Sequence, residues 1–122
     1  MKYGRSEIRV DVPDHNLADV LTSQKFPPID NPERAILDAL ESPIDSPALS
    51  ELAKNRESAT IVISDITRSV PNKLILPPIL KIIEDQGVPR DKINILIATG
   101  VHRPNEGDEL LEMVGSQIVE NY

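Results

Sequence analysis

Two short apolar, β-rich runs flank one helix-like segment, and this arrangement restricts the possible folds more than any other feature. The first run is Thr60-Ile61-Val62-Ile63 and the second is Ile93-Asn94-Ile95-Leu96-Ile97-Ala98. Between them, isoleucine and leucine recur at helical spacing, and Gly87 is placed to end the helix. Strand, helix, strand is a parallel crossover, so both strands end at the same edge of a sheet. The sequence therefore predicts an α/β fold with a Rossmann-like parallel βαβ sheet flanked by helices.

A polar motif follows each of the two predicted strands. Ser64-Asp65-Ile66-Thr67-Arg68 follows the first run, and Thr99-Gly100-Val101-His102-Arg103-Pro104 follows the second. Open α/β sheets bind their ligands in the crevice at the carboxyl ends of the strands. We therefore expect four side chains from these motifs to converge on one crevice: Asp65, Arg68, His102 and Arg103.

The flanking segments carry weaker signals. Alternation of Ile8, Val10 and Val12 with charged residues predicts an additional N-terminal strand. Asn31-Pro32 and Ser46-Pro47 each predict the start of a short helix, because a capping residue precedes proline.

The two strands and the segments after them give further expectations. The apolar runs are nearly uncharged, which is typical of strands covered on both faces. Pro77-Pro78 predicts either a kink or a short turn followed by a regular helix. Asn105 is expected to cap a later helix, and Ile118-Val119 to begin a third strand, which would make the chain a truncated piece of a larger domain.

Length and composition exclude several classes of protein. The chain of 122 residues amounts to one domain, 1–122. Its net charge of −7 repels phosphate backbones, so nucleic acid is not an expected partner. Cysteine is absent, which excludes a thiolate nucleophile and fits a reducing, cytoplasmic location. No apolar run is long enough for a membrane span, and no grouping of side chains has metal-ligand spacing, so we expect neither a membrane partner nor a metal site.

The candidate residues each allow two interpretations. Asp65 and Arg68 could form an anion-binding loop, or Asp65 could cap the segment that follows it. His102 could exchange a proton near neutral pH, or it could be a surface histidine. Arg103 could hold a carboxylate or phosphate, or it could pair with the acidic helix start at 106–109.

Both motifs, together with Val70-Pro71-Asn72-Lys73-Leu74 and Leu76-Pro77-Pro78-Ile79-Leu80, resemble the nickel-pincer-nucleotide-dependent lactate racemase family. The resemblance covers essentially the whole chain. One departure is Ser69, which stands where the family usually has proline after the arginine. This change should loosen the loop, but it removes no functional group.

The resemblance implies an isomerase that racemises or epimerises 2-hydroxy acids with a nickel-pincer nucleotide, Ni pyridinium-3,5-bisthiocarboxylate mononucleotide. His102 matches the first of two acid/base histidines in the family. The family's cofactor-binding segment corresponds to Asp65, Ile66, Thr67 and Arg68. Arg68 is also expected near the substrate carboxylate, and Arg103 is a second candidate for substrate binding.

Other functional groups of the family come later in its sequence than this chain reaches. They are the second acid/base histidine, the lysine joined to the cofactor and the histidine bound to nickel. The chain thus resembles the N-terminal portion of a catalytic domain whose partners would be the rest of that domain and a C-terminal domain. We expect the fragment alone to be inactive. The alternatives are a non-catalytic anion- or nucleotide-binding α/β module and a regulatory or interaction domain.

Overall fold

Two parallel strands joined by one long helix form the centre of the fold. A computed structural model of the chain describes residues 2–3 and 6–122. Strand β3, Ala59–Ser64, pairs in parallel with β4, Ile93–Ala98, in a register that runs from Ala59 opposite Ile93 to Ser64 opposite Ala98. Helix α3, Asn72–Asp85, lies between them in the chain. The predicted α/β arrangement is confirmed, and the carboxyl ends of both strands lie side by side.

Helix α3 continues through Pro77 and Pro78 as a single element, so the turn-plus-helix alternative is wrong. Each proline lacks the N–H that would bond to the carbonyl four residues earlier. Burial offsets this loss, because Leu76 and Leu80 retain only 1% and 3% of their accessible surface. The helix ends before Gly87, whose positive φ of 93° suits glycine.

Four shorter helices surround this unit. Helix α1, Pro32–Glu41, begins as predicted, with the Asn31 side chain accepting a hydrogen bond of 3.0 Å from the Arg34 amide. Helix α2, Leu49–Ala53, follows Ala48 instead of Ser46, so the predicted cap is wrong. The Ser46 hydroxyl bonds to the Pro47 carbonyl and is not used as a cap. Helices α4, Asp108–Val114, and α5, Ser116–Asn121, complete the described part of the chain.

The core lies between α3 and one face of the sheet and is aliphatic. Its buried members come from the inner faces of both strands, from α2, α3 and the C-terminal helices, and from the loop after α3: Ala53, Ile63, Leu76, Leu80, Ile83, Val88, Ile93, Met113, Val114 and Ile118. The predicted third strand at 118–119 is wrong, because these residues belong to α5. Ile118 and Tyr122 are four residues apart, and helical geometry lets both pack against the core without a neighbouring strand.

The N-terminal strand lies earlier than the alternating pattern predicted. Strand β2, Ser6–Glu7, pairs antiparallel with β1, Lys2–Tyr3, whereas residues 8–12 belong to no strand. Ile8, Val10 and Val12 are about half exposed, at 48%, 54% and 48%. Alternation predicts a strand only where a neighbouring strand is present to pair with it, and among the described residues no strand pairs with residues 8–12.

The outer face of the β3–β4 sheet is open, so the prediction that both faces are covered is wrong for this chain. Val62 and Leu96 point away from α3 and are 62% and 55% exposed. The apolar character of these positions is therefore not explained by packing within the described residues. No helix in the described part of the chain is long and apolar enough to cross a membrane.

Candidate functional site

A polar crevice of about 280 Å³ lies where β3 and β4 end. The two loops that follow the strands line it, and parallel pairing places them next to each other. Asp65, Arg68 and His102 are brought together there, as the topology predicted. The complete lining is Ser64, Asp65, Arg68, Ala98, Thr99, Gly100, Val101 and His102.

Asp65 is the buried anchor of the crevice, with 5% of its surface exposed. Its carboxylate accepts a hydrogen bond of 2.6 Å from the Thr67 hydroxyl and lies 2.5 Å from Nδ1 of His102. The Thr67 hydrogen bond, followed by that of His102, lowers the pKa of Asp65 below its ordinary value. The carboxylate is therefore ionised at neutral pH.

The contact with Asp65 determines the chemistry available to His102. An ionised carboxylate only accepts hydrogen bonds, so Nδ1 of His102 must carry the proton. In a neutral imidazole, Nε2 then holds a free lone pair and can act as a base. A tight turn, closed by a 3.0 Å bond from the His102 amide to the Thr99 carbonyl, presents the ring, and Gly100 supplies the positive φ of 59° within it. The side chain is 51% exposed, so a ligand can reach it.

Arg68 supplies an uncommitted positive charge to the crevice. The Arg68 amide closes a turn onto the Asp65 carbonyl at 3.1 Å, which places its side chain on the crevice wall. Among residues 6–122, no hydrogen bond or ion pair engages its guanidinium. A planar cation in this state can bind a carboxylate or phosphate with two hydrogen bonds.

Arg103 is not part of the crevice lining. Its guanidinium binds both oxygens of Glu109, at 2.8 and 2.6 Å, which corresponds to the second of the two interpretations of the sequence. This pairing, together with a hydrogen bond from Asn105, lowers the pKa of Glu109 to about 2. Of the two arginines that the sequence assigned to substrate binding, Arg68 is therefore available for a ligand and Arg103 is already paired with Glu109.

Ile66 and Thr67, the other two residues of the expected cofactor-binding segment, have structural contacts. Thr67 uses its hydroxyl to bind Asp65. Ile66 packs its side chain against the core, while its amide lies 3.4 Å from the Asn105 side chain. Within this segment, Arg68 is the residue whose charged group has no partner in the described part of the chain.

Asn105 lies close to the crevice, and its predicted role as a helix cap is wrong. It does not cap α4, because Gly107 precedes that helix and the Asn105 side chain points elsewhere. It is buried, with 7% of its surface exposed, and it bonds to Glu109 as well as to Ile66. Asparagine serves as a cap and as a loop bridge equally well, so no local signal in the sequence distinguishes the two roles.

The polar residues of the crevice suit an anionic group better than a metal ion. No group of three potential ligands, whether histidine, cysteine, aspartate or glutamate, occurs in the described residues. Arg68 and the hydroxyls of Ser64 and Thr99 are suited to phosphate or carboxylate oxygens. Gly100 leaves open space where a side chain would project.

Comparison with known proteins gives a consistent result. The family described as "Lactate racemase N-terminal domain" matches residues 3–122. The lactate racemase of Lactiplantibacillus plantarum is 34% identical over 123 residues, which cover 99% of this chain and 29% of that protein. The lactate racemase of Thermoanaerobacterium thermosaccharolyticum is 34% identical over 121 residues, covering 98% of this chain and 28% of that protein.

The fold is shared as well. The solved structure of the lactate racemase apoprotein from Thermoanaerobacterium thermosaccharolyticum has a TM-score of 0.77 to this chain, covering 98% of it and 27% of that chain. The chain thus spans less than a third of the length of the relatives it matches. Because the match extends over nearly all of its residues, the chain belongs to the lactate racemase N-terminal domain family.

Proposed function

We propose that this chain forms the N-terminal portion of the catalytic domain of a 2-hydroxy-acid racemase or epimerase, with lactate as the first substrate to test. The observation that carries the proposal is the Asp65–His102 pair in one crevice with Arg68, whose guanidinium has no partner among residues 6–122. Racemisation of a 2-hydroxy acid needs a side chain that takes the hydroxyl proton and a cation that binds the carboxylate, and these residues can supply both. Membership of the family, whose named relatives are lactate racemases, supports the same reaction.

His102 is the proposed acid/base residue. With Nδ1 held by Asp65, Nε2 would take the proton of the substrate hydroxyl, while the hydride of C2 would leave to a bound cofactor and give the keto acid. The Asp65 carboxylate would stabilise the imidazolium that forms and keep the ring in one orientation. The same nitrogen would return the proton when the hydroxyl is restored.

Arg68 is the proposed anchor for the substrate carboxylate. Two parallel hydrogen bonds from its guanidinium would fix the orientation of the acid, so that its hydroxyl faces His102. Arg103, assigned to substrate from the sequence, is committed to Glu109 and is better placed to support the second loop than to bind a ligand.

The resemblance further suggests a nickel-pincer nucleotide as cofactor. When bound, such a group would supply the hydride-accepting centre that side chains lack. Within this chain, the segment from Asp65 to Arg68 would face it, with Arg68 and the nearby hydroxyls suited to its anionic groups. The chain offers no ligand set for nickel in its described residues, so the remaining part of the enzyme would have to supply it.

The test is racemisation of lactate by the full-length protein, meaning the product of the complete reading frame that contains this sequence, loaded with the nickel-pincer nucleotide. The wild type should interconvert D- and L-lactate, and His102→Ala should lose about 10²- to 10⁴-fold in kcat. His15→Ala is the matched control, because His15 is exposed and lies outside the crevice. No racemisation by the loaded wild type, or equal rates for both variants, would overturn the proposal. Lactate binding without turnover would favour the anion-binding module instead.

A further inference from the structure

Asn105 connects the two loops of the crevice through contacts on both sides of its amide. Its Oδ1 accepts a hydrogen bond of 3.4 Å from the Ile66 amide on the first loop, 39 residues away in sequence. Its Nδ2 donates a 3.0 Å hydrogen bond to Glu109 at the start of α4. Only this orientation of the amide matches a donor with each acceptor, so the side chain is fixed in place.

These contacts lie next to the catalytic pair in both loops. Ile66 follows Asp65 directly, and Asn105 is three residues after His102. The first loop is therefore joined to the second at two points, by Asp65 to His102 and by Ile66 to Asn105. One contact alone would let the loops pivot about it, whereas two fix their relative orientation.

The second point of attachment is itself anchored. Glu109 binds Asn105 through the oxygen that it also presents to Arg103, and Arg103 adjoins His102 in the chain. The sequence of contacts Ile66–Asn105–Glu109–Arg103 thus starts beside Asp65 and returns beside His102. We call these four residues the brace.

We propose that Asn105 is a positioning residue, which holds the Asp65 carboxylate in line with Nδ1 of His102 through the brace. This inference rests on the proposed function for its catalytic consequence, but not for its structural one. Asn105 touches neither substrate nor cofactor in this account. Its effect on catalysis is transmitted through the orientation of the imidazole.

The direct test is the tautomer of His102, measured by ¹⁵N NMR of the ring nitrogens in the ¹⁵N-histidine-labelled chain. The chain has two histidines, His15 and His102, so assignment is simple. The wild type should show mainly the Nδ1–H form at neutral pH. Asn105→Ala should lower that fraction, because the carboxylate is then free to move away from Nδ1. Glu106→Ala, which changes an exposed neighbour outside the brace, should leave it unchanged.

A second pair of variants keeps the test decisive if Asn105→Ala does not fold. Glu109→Ala removes the acceptor for Nδ2 at a position that is partly exposed, and it should lower the Nδ1–H fraction in the same direction. Glu109→Gln retains an acceptor oxygen and should restore most of the wild-type fraction. An unchanged tautomer in the folded Asn105→Ala or Glu109→Ala chain would overturn the proposal.

The kinetic arm separates the brace from the racemase assignment. In the loaded full-length protein, Asn105→Ala should lower kcat about tenfold or more while KM for lactate stays nearly constant, because Arg68 is not displaced. If Asn105→Ala changes the tautomer of His102 but the loaded wild type does not racemise lactate, the result supports the brace and contradicts the proposed function. If the wild type racemises lactate and Asn105→Ala changes neither the tautomer nor kcat, the result supports the proposed function and contradicts the brace.

Discussion

Replacing Asp65 with asparagine isolates the contribution of its negative charge. The asparagine carbonyl can still accept from Nδ1 of His102, and its amide can donate to the Thr67 hydroxyl oxygen, so shape and hydrogen bonding are preserved. What disappears is the charge that faces the imidazolium formed when His102 takes a proton. The expected result is a lower kcat for lactate racemisation with little change in KM.

The size of the effect follows from distance and exposure. Charge centres about 4 Å apart interact strongly in a medium of effective dielectric constant near 20 and weakly in water. The carboxylate is buried but the imidazole is 51% exposed, so the pair lies between these limits. Converted to rate, the interaction free energies at these two limits correspond to a loss of about 10- to 10³-fold in kcat.

The assay is the initial rate of L- to D-lactate conversion by the loaded full-length protein, with circular dichroism to verify folding. Thr67→Val is the matched control, because it removes the other hydrogen bond to Asp65 and leaves the charge opposite His102 in place. Its kcat should fall less than that of Asp65→Asn. A kcat for Asp65→Asn within about twofold of wild type would refute electrostatic support of His102.

Three further predictions concern binding, packing and pH. Arg68→Lys should raise KM for lactate about tenfold in steady-state kinetics, since lysine lacks the planar fork of arginine. An unchanged KM would contradict carboxylate binding by Arg68. Leu76→Ala should destabilise the chain by about 2–5 kcal/mol in urea denaturation, whereas Val62→Ala on the open face should have a small effect; equal losses would contradict the assigned core. Because folding lowers the pKa of Glu109 from 4.5 to about 2, its contribution to stability is complete above pH 4.5 and lost as the pH falls toward 2. Glu109→Gln should therefore flatten the decline of Tm across that window, and an unaltered decline would contradict the ion pair with Arg103.

The topology of the site could be predicted because it depends on backbone order alone. Two apolar runs separated by one helix can hardly avoid parallel pairing, and this places residue 65 beside residue 102. The side chains that complete the site depend on loop conformation, which local patterns do not determine. Thus Arg103 had several acidic residues within reach, and only the structure shows that it binds Glu109. Asn105 likewise has a bridging role that no spacing rule indicates.

The errors at the two ends of the chain have a common physical origin. Residues 8–12 and 118–119 carry strand-like patterns, but strands form only against a partner. No neighbouring strand lies beside either segment among the described residues, so the first forms no strand and the second becomes helical. The prediction of two covered sheet faces failed in the same way, because it assumed a packing layer that these residues do not provide.

The position of a bound 2-hydroxy acid tests the central claim most directly. A crystal structure of the full-length protein with lactate should place the substrate carboxylate against Arg68. The substrate hydroxyl oxygen should lie within hydrogen-bond reach, about 2.6–3.2 Å, of Nε2 of His102. A lactate molecule bound through Arg103, or one whose hydroxyl lies beyond the reach of His102, would contradict the account.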